Sequence, residues 1–273
     1  PTSLDSEIFL NIPPLFHIVG LYHGCFQPVF GRSTALLISR FEPEEVFNSI
    51  NKYRVSILIA GVPAAYIAML NHPAFDKVNY KSIRFACGGG APLAKETLHE
   101  WERRTGVPAL EGYGMTEGAP TCNNPFSGER RVLSVGKPVY GIELEIVDVA
   151  TGTIKMNDGE HGEIRVRGSH IASGYFNNVE ATSSAFRENW LYTGDIAYRD
   201  RDGFIYIVDR AKDMAIVSGF NVFPREIDEI LMTHPHIKEA ASIAVPDAEK
   251  GEVIKAFVCL IDGSNMTEDQ IKD

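Results

Sequence analysis

The sequence predicts an α/β protein: a parallel α/β sheet layer, then a β-rich, barrel-like subdomain, then a small, truncated α+β domain. Three observations carry that order. Residues 42–111 alternate amphipathic helical stretches with continuous apolar runs of strand length, as parallel strands buried on both faces require. From residue 113 the helical period gives way to short alternating or apolar runs with Gly, Asp and Asn between them. From residue 214 the order is strand, helix, strand, strand.

The elements follow in chain order. "EPEEVFNSINKYR" sets Val46, Phe47, Ile50 and Tyr53 at helical spacing, and "VSILIA" is an apolar run of strand length. "PAAYIAMLNH" returns to a helix, "IRFAC" to a strand. "PLAKETLHEWERRTG" is a helix with Pro92 in its first turn, and "VPALEG" a short strand. In the β-rich part, "IELEIVDV", "GEIRVRG", "WLYTGDIAYR" and "FIYIVDR" are strands, and Asp-Gly in "RDRDGF" predicts a hairpin turn. In the last part, "MAIVSG", the helix "PREIDEILMTH", "AASIAVPD" and "VIKAFVCLID" complete the pattern. The charged "DRAKD", residues 209–213, is the expected joint. The expected division is therefore 1–112 for the α/β part of a large N-terminal domain, 113–208 for its β-rich subdomain, 209–213 for a hinge and 214–273 for an incomplete C-terminal domain. Thr267 and Gln270 stand at capping-box spacing. That helix opens with almost no chain left, and no initiator Met is present, so the sequence reads as a piece of a longer protein.

Composition narrows the function. With 273 residues the chain holds one or two domains. Apolar residues make up 44% and charged ones 23%, ordinary for a globular protein. A net charge of −10 with no long basic run argues against a nucleic-acid partner. No apolar run reaches the length of a membrane span, and "PTSLDSEIFL" lacks the layout of a signal peptide. Cys25, Cys87, Cys122 and Cys259 are far apart with no C-x-x-C pair. They read as free thiols in a reducing compartment, which makes the cytoplasm the expected location.

Four short stretches carry candidate chemistry. "GYGMTEG", residues 112–118, sets three glycines around a hydroxyl and a carboxylate. Bare backbone lets a ligand approach closely, Thr116 can donate to an anionic oxygen, and Glu117 is a hard oxygen donor of the kind Mg²⁺ takes. "ACGGGAPL", residues 86–93, lies between a strand and a helix, where open α/β sheets bind ligands; alone, it is a tight turn. "YTGD" places Asp195 near the end of a strand, where a carboxylate can take two hydrogen bonds from a ribose diol; alone, it is a turn aspartate. His17 in "PPLFHIVG" sits in apolar company, as a core histidine would.

Taken in order, these stretches, with "SVGKPV", "GEIRVRGSHIASGY", "WLYTGDIAYRDRDGFIYIVDRAKD" and "SGFNVFPREIDEIL", closely resemble the adenylate-forming superfamily. That group includes acyl-CoA synthetases, firefly luciferase and the adenylation domains of peptide synthetases. The resemblance implies activation of a carboxylic acid by ATP with Mg²⁺, then transfer of the acyl group to coenzyme A. By residue, it implies that Gly89, Gly90 and Ala91 border the adenine and Tyr113 stacks on it, with Gly114 beside them. Thr116 binds phosphate oxygens and Glu117 ligates Mg²⁺. Asp195 holds the ribose, joined by Arg210. Lys212 is the hinge between half-reactions. Gly219 lies in a loop that approaches the coenzyme A channel, and His17 stands near the acyl carboxylate.

The resemblance also shows departures. The family's phosphate loop and its C-terminal catalytic lysine are absent, and Lys272 has the wrong surroundings for the latter. This stretch alone is therefore expected to be inactive. "LEGYGMTEGAP" with "NNPFSGERR" looks most like medium- and long-chain fatty-acid ligases. Malonyl-CoA synthetases carry arginine where Gly112 stands, so a neutral, apolar acid is expected and Gly112 leaves room for its chain. Two alternatives stay open: loading of a carrier-protein thiol, and a non-catalytic nucleotide-binding relative. Partners are small molecules, with a homodimer among the assemblies allowed.

Overall fold

The computed structural model describes residues 6–91, 93–247 and 249–272. Its first sheet has seven strands: β1 (Ile8–Asn11), β2 (Thr34–Leu37), β3 (Ile57–Gly61), β4 (Phe85–Gly88), β5 (Ala109–Met115), β6 (Gly118–Asn123) and β7 (Lys137–Pro138), in the order β2-β1-β3-β4-β5-β6-β7. Pairing is parallel from β2 to β5 and antiparallel from β5 to β7. The mixed α/β class expected from the sequence is the class observed, and the β-rich half begins as an antiparallel extension of the parallel sheet. A second sheet has β8 (Ile142–Val147), β9 (Gly162–Gly168), β10 (Phe186–Arg187), β11 (Trp190–Arg199) and β12 (Ile205–Arg210), in the order β10-β11-β9-β8 with β12 beside β11. A third has β13 (Ala215–Val217), β14 (Phe220–Val222), β15 (Ile237–Asp247) and β16 (Gly251–Leu260), in the order β14-β13-β16-β15.

Two compact units divide the chain. The first holds Pro1–Leu144, Val166–Leu191 and Asp200–Tyr206; the second holds Glu145–Arg165, Tyr192–Arg199 and Ile207–Asp273.

In the first unit all five residues of β3 are buried, because alternate side chains feed two separate cores. Leu58 and Ala60 join the cluster formed with the helices Pro43–Tyr53, Pro63–Leu70 and Lys95–Thr105. Ile57 and Ile59 face the other way, with Phe85 and Cys87 packed beside them. Pro92, expected in the first turn of the helix Lys95–Thr105, lies outside the described residues. Of the four residues at helical spacing in Pro43–Tyr53, Val46, Phe47 and Ile50 are buried while Tyr53 is exposed. Tyr53 closes the helix against Arg54, which takes a left-handed φ of 54°. Trp101 is fully buried, its ring 5.0 Å from that of Tyr66 and 5.8 Å from that of Phe75. Trp101→Ala is expected to lower stability by about 3–5 kcal/mol, read from the midpoint of urea unfolding. Trp101→Phe is expected to cost less, because Trp101 Nε1 has no hydrogen-bond partner among the described residues; a near-equal loss for both would contradict this packing.

The turn expected in "RDRDGF" forms, with Asp200 Oδ1 accepting from the Asp202 and Phe204 N–H groups and Gly203 at φ 85°. In the second unit the third sheet adds one strand that the sequence pattern does not announce. Ser218 (φ 52°) and Gly219 (φ 86°) make a tight turn that folds β14 back on β13, giving strand, strand, helix (Pro224–Met232), strand, strand. The capping box is present: Gln270 Oε1 accepts from the Thr267 N–H at 2.9 Å, and Thr267 Oγ1 from the Gln270 N–H at 3.4 Å. No helix of the described residues is long and apolar enough to cross a membrane.

Candidate active site

The carboxyl ends of β3, β4 and β5 in the first unit form one wall of a cleft of about 960 Å³, part of it open to solvent. The opposite wall is a short helical segment that changes pitch. It starts as Ile18–Leu21, widens to a π turn over Tyr22–Phe26 and closes as Gln27–Phe30. In the π turn the Gln27 N–H donates to the Tyr22 carbonyl, five residues back. Pro28 has no N–H to continue the ordinary i−4 ladder, and such single π turns recur at functional sites. Tyr22, His23 and Gln27 all line the cleft as a result.

Five of the residues singled out from the sequence meet here: Gly89, Gly90, Gly112, Tyr113 and Gly114 all line the cleft. Gly90 needs its glycine, with φ at 79°. At Gly89 a Cβ would stand 3.2 Å from the Gly112 carbonyl, so the two glycine stretches approach backbone to backbone. Ala91 follows them in an exposed bend. Thr116 and Glu117 are the two-residue tip of the β5–β6 hairpin, across which Met115 pairs with Gly118. The glycines therefore flank the turn rather than form it. At Gly112 a Cβ would lie 2.3 Å from Asn123 Oδ1; the amide of Asn123, which also lines the cleft, takes the space that glycine leaves.

The Glu117 carboxylate is held from a distant segment. Tyr175 donates its hydroxyl to Glu117 Oε1 at 2.6 Å, and the Ala172 N–H donates to the Glu117 carbonyl at 2.7 Å. The hydrogen bond to that carboxylate raises the Tyr175 phenol to about 12. Among the described residues no group of three or more His, Cys, Asp or Glu side chains clusters as a metal cage. A single hard carboxylate suits Mg²⁺ that arrives with phosphates and keeps its waters, and Glu117 fits that role.

His17 is exposed and caps the helix that opens the cleft wall, its Nδ1 accepting from the Val19 N–H at 3.2 Å. It is not the core histidine that its apolar neighbours suggested; Ile18 and Val19 after it line the cleft.

The remaining candidates belong to the second unit. Asp195 lies inside β11 rather than at its end. Gly194 before it has φ 73° and is pinned on both sides: its N–H donates to Glu163 Oε1 at 2.9 Å, and its carbonyl accepts from the Ala211 N–H at 2.8 Å. The Asp195 N–H donates to Thr193 Oγ1 at 3.1 Å. Asp195 Oδ1 stands 3.4 Å from Arg210 Nε, with the arginine mostly in solvent. Lys212 is exposed in the turn after Arg210. Asp209 accepts from the Arg225 N–H at 3.2 Å and so ties that turn to the start of the helix Pro224–Met232. Gly219 is at the tip of the β13–β14 turn.

All four cysteines are free. Burial pushes the Cys87 and Cys122 thiols up to about 12, which disfavours the reactive thiolate. Cys259 is exposed. Labelling with a thiol reagent at pH 8 is expected to modify the exposed Cys259 at least about a hundredfold faster than the buried Cys122, read by peptide mass. Comparable rates would contradict the buried placement of Cys122.

Residues 2–176 match the family of AMP-binding enzymes, and residues 226–273 match the AMP-binding enzyme C-terminal domain. The chain is 36% identical over 267 residues to a long-chain-fatty-acid–CoA ligase of Bacillus subtilis, covering 97% of this chain and 47% of the relative. It is also 36% identical over 277 residues to 4-coumarate–CoA ligase 1 of Narcissus pseudonarcissus, covering 98% and 50%. Among solved structures, ATP-bound MatB from Rhodopseudomonas palustris superposes with a TM-score of 0.90 at 32% identity, over 98% of this chain and 53% of that one. The chain spans about half the length of the curated relatives it matches.

Proposed function

Because the chain belongs to the AMP-binding enzyme family, we propose that the whole protein activates a carboxylic acid with ATP and transfers the acyl group to coenzyme A. In the first step a carboxylate oxygen attacks the α-phosphorus, the bond to the β-phosphate breaks and pyrophosphate leaves. In the second, the thiol sulfur attacks the acyl carbon and AMP leaves. The observation that carries this reading is the glycine-walled cleft, lined by Gly112, Tyr113 and Gly114 of the same β5–β6 hairpin whose tip is Thr116–Glu117. Such chemistry needs positioning and charge neutralisation more than proton transfer.

Each residue role is part of the proposal. Gly89, Gly90 and Ala91 border the adenine and Tyr113 stacks on it beside Gly114. Thr116 donates to phosphate oxygens, and Asp195 accepts from the ribose hydroxyls with Arg210. Glu117 holds Mg²⁺, which when bound neutralises phosphate charge. Tyr175 fixes the carboxylate that does so. His17 stands toward the acyl carboxylate, and Gly112 belongs to the acyl wall. Lys212 serves as the hinge of the 209–213 segment, and Gly219 faces the pantetheine. The proposed acid has an apolar body, as in fatty acids; the names of the relatives support both fatty and aromatic acids.

The test is acid-dependent ATP–pyrophosphate exchange by the whole protein across a panel of fatty and aryl acids, with thioester products read by mass. Exchange with coenzyme A thioester formation is the expected result. Exchange without a coenzyme A thioester would point to a carrier-protein thiol instead, and no exchange with any acid would overturn the reading.

A further inference from the structure

Resting on the proposal that the cleft holds the acid, we propose that His23 and Gln27 form a hydrogen-bonding subsite that selects an acid carrying a hydroxyl on its tail. Most of the cleft suits an apolar body: Ile59, Leu110, and the rings of Tyr22, Phe85 and Phe126 line it. Into this wall the π turn places an imidazole and an amide, His23 Nδ1 lying 2.7 Å from Gln27 Oε1.

The chemistry of that pair is directional. A carbonyl oxygen cannot donate, so Nδ1 carries the proton and donates to Gln27 Oε1. Burial lowers the His23 pKa below its ordinary value, which keeps the ring neutral near pH 7. Nε2 is then left with a lone pair. Among the described residues the Gln27 contact is the ring's one hydrogen bond. An acid tail that covers this half-buried acceptor without donating to it strips its water and leaves it unmatched, at a cost that a donating tail avoids. A hydroxyl donates; a methylene, a methyl or a methoxy group does not. Sites built around such a bond discriminate far more sharply than apolar pockets do, by up to about 10⁴–10⁵. The tail can be an aryl ring or an alkyl chain, and the aromatic walls accept either.

The experiment uses the whole protein and matched acids: 4-hydroxycinnamate, cinnamate and 4-methoxycinnamate in one arm, 12-hydroxydodecanoate and dodecanoate in the other. Acid binding is measured by calorimetry and kcat/KM by pyrophosphate exchange. In at least one arm the hydroxylated acid is expected to win by about tenfold or more, and that arm identifies the tail. In His23→Leu the preference should fall below about twofold through faster use of the plain acid, which also shows that the variant is folded. Gln27→Leu, which frees the tautomer but keeps the ring, should lose only part of the preference. Equal affinity for both members of each pair, or a preference retained in His23→Leu, would overturn this subsite. Discrimination in binding with no exchange for any acid would instead overturn the ligase reading and leave the subsite standing.

Discussion

Glu117→Gln in the whole protein is expected to reduce acid-dependent pyrophosphate exchange by about 10²–10³, the usual range for deleting one fixed electrostatic contact in a reacting centre. The substitution is chosen for what it keeps. Gln retains an oxygen for the Tyr175 hydroxyl that now reaches Glu117 Oε1 at 2.6 Å, so the hairpin tip stays tied to the segment around Ala172. What disappears is the negative charge, which a hard divalent cation needs and a hairpin turn does not. A second readout separates loss of charge from loss of fold. Tyr175 titrates near 12 because its hydroxyl is held by a carboxylate. With an amide there, ionisation no longer creates two adjacent anions, and the phenol should titrate closer to its ordinary value of 10.0. Near-normal exchange with an unchanged Mg²⁺ requirement would remove the metal role from Glu117.

Asp195→Ala is expected to raise KM for ATP about ten- to hundredfold while changing KM for the acid by less than about threefold. Losing hydrogen bonds to a charged acceptor costs about 1.5–3 kcal/mol, and each 1.36 kcal/mol is roughly tenfold. The backbone around Asp195 does not depend on its side chain, since Glu163 and Ala211 hold Gly194 and Thr193 receives the Asp195 N–H. Arg210, already mostly solvated, loses only a 3.4 Å neighbour. An unchanged KM for ATP would remove the ribose role from Asp195.

How far these features are legible in the sequence depends on the range of the interaction. The parallel layer is readable because β3 must be apolar on both faces: Ile57 and Ile59 serve one core, Leu58 and Ala60 the other. The Thr116–Glu117 tip stands out in the sequence because its neighbouring glycines exceed what a turn needs, and the structure places it at the turn of the β5–β6 hairpin. Strand β14 is not readable, since three residues after a Ser-Gly turn carry too little period to declare a strand. Tyr53 fits the helical stripe yet is exposed, because the helix ends there and its last turn passes the edge of the core. Tyr175 is 58 residues from its partner Glu117, and no local pattern connects them. Asn123 likewise reaches the space beside Gly112 only through strand pairing. The His23–Gln27 pair had a local signal, an i, i+4 spacing of polar residues on an apolar helix, but the π turn that exposes both to the cleft does not follow from spacing.

The most direct test of the central claim follows one oxygen. If a carboxylate oxygen attacks the α-phosphorus of ATP, that oxygen bridges carbon and phosphorus in the intermediate and stays on phosphorus when the thiol displaces AMP. The whole protein, given ATP, coenzyme A and the best acid of the panel labelled with ¹⁸O in both carboxylate oxygens, should release AMP carrying one ¹⁸O and a thioester retaining the other. Label found in pyrophosphate or inorganic phosphate, or AMP formed without label, would contradict acid activation through an acyl-adenylate.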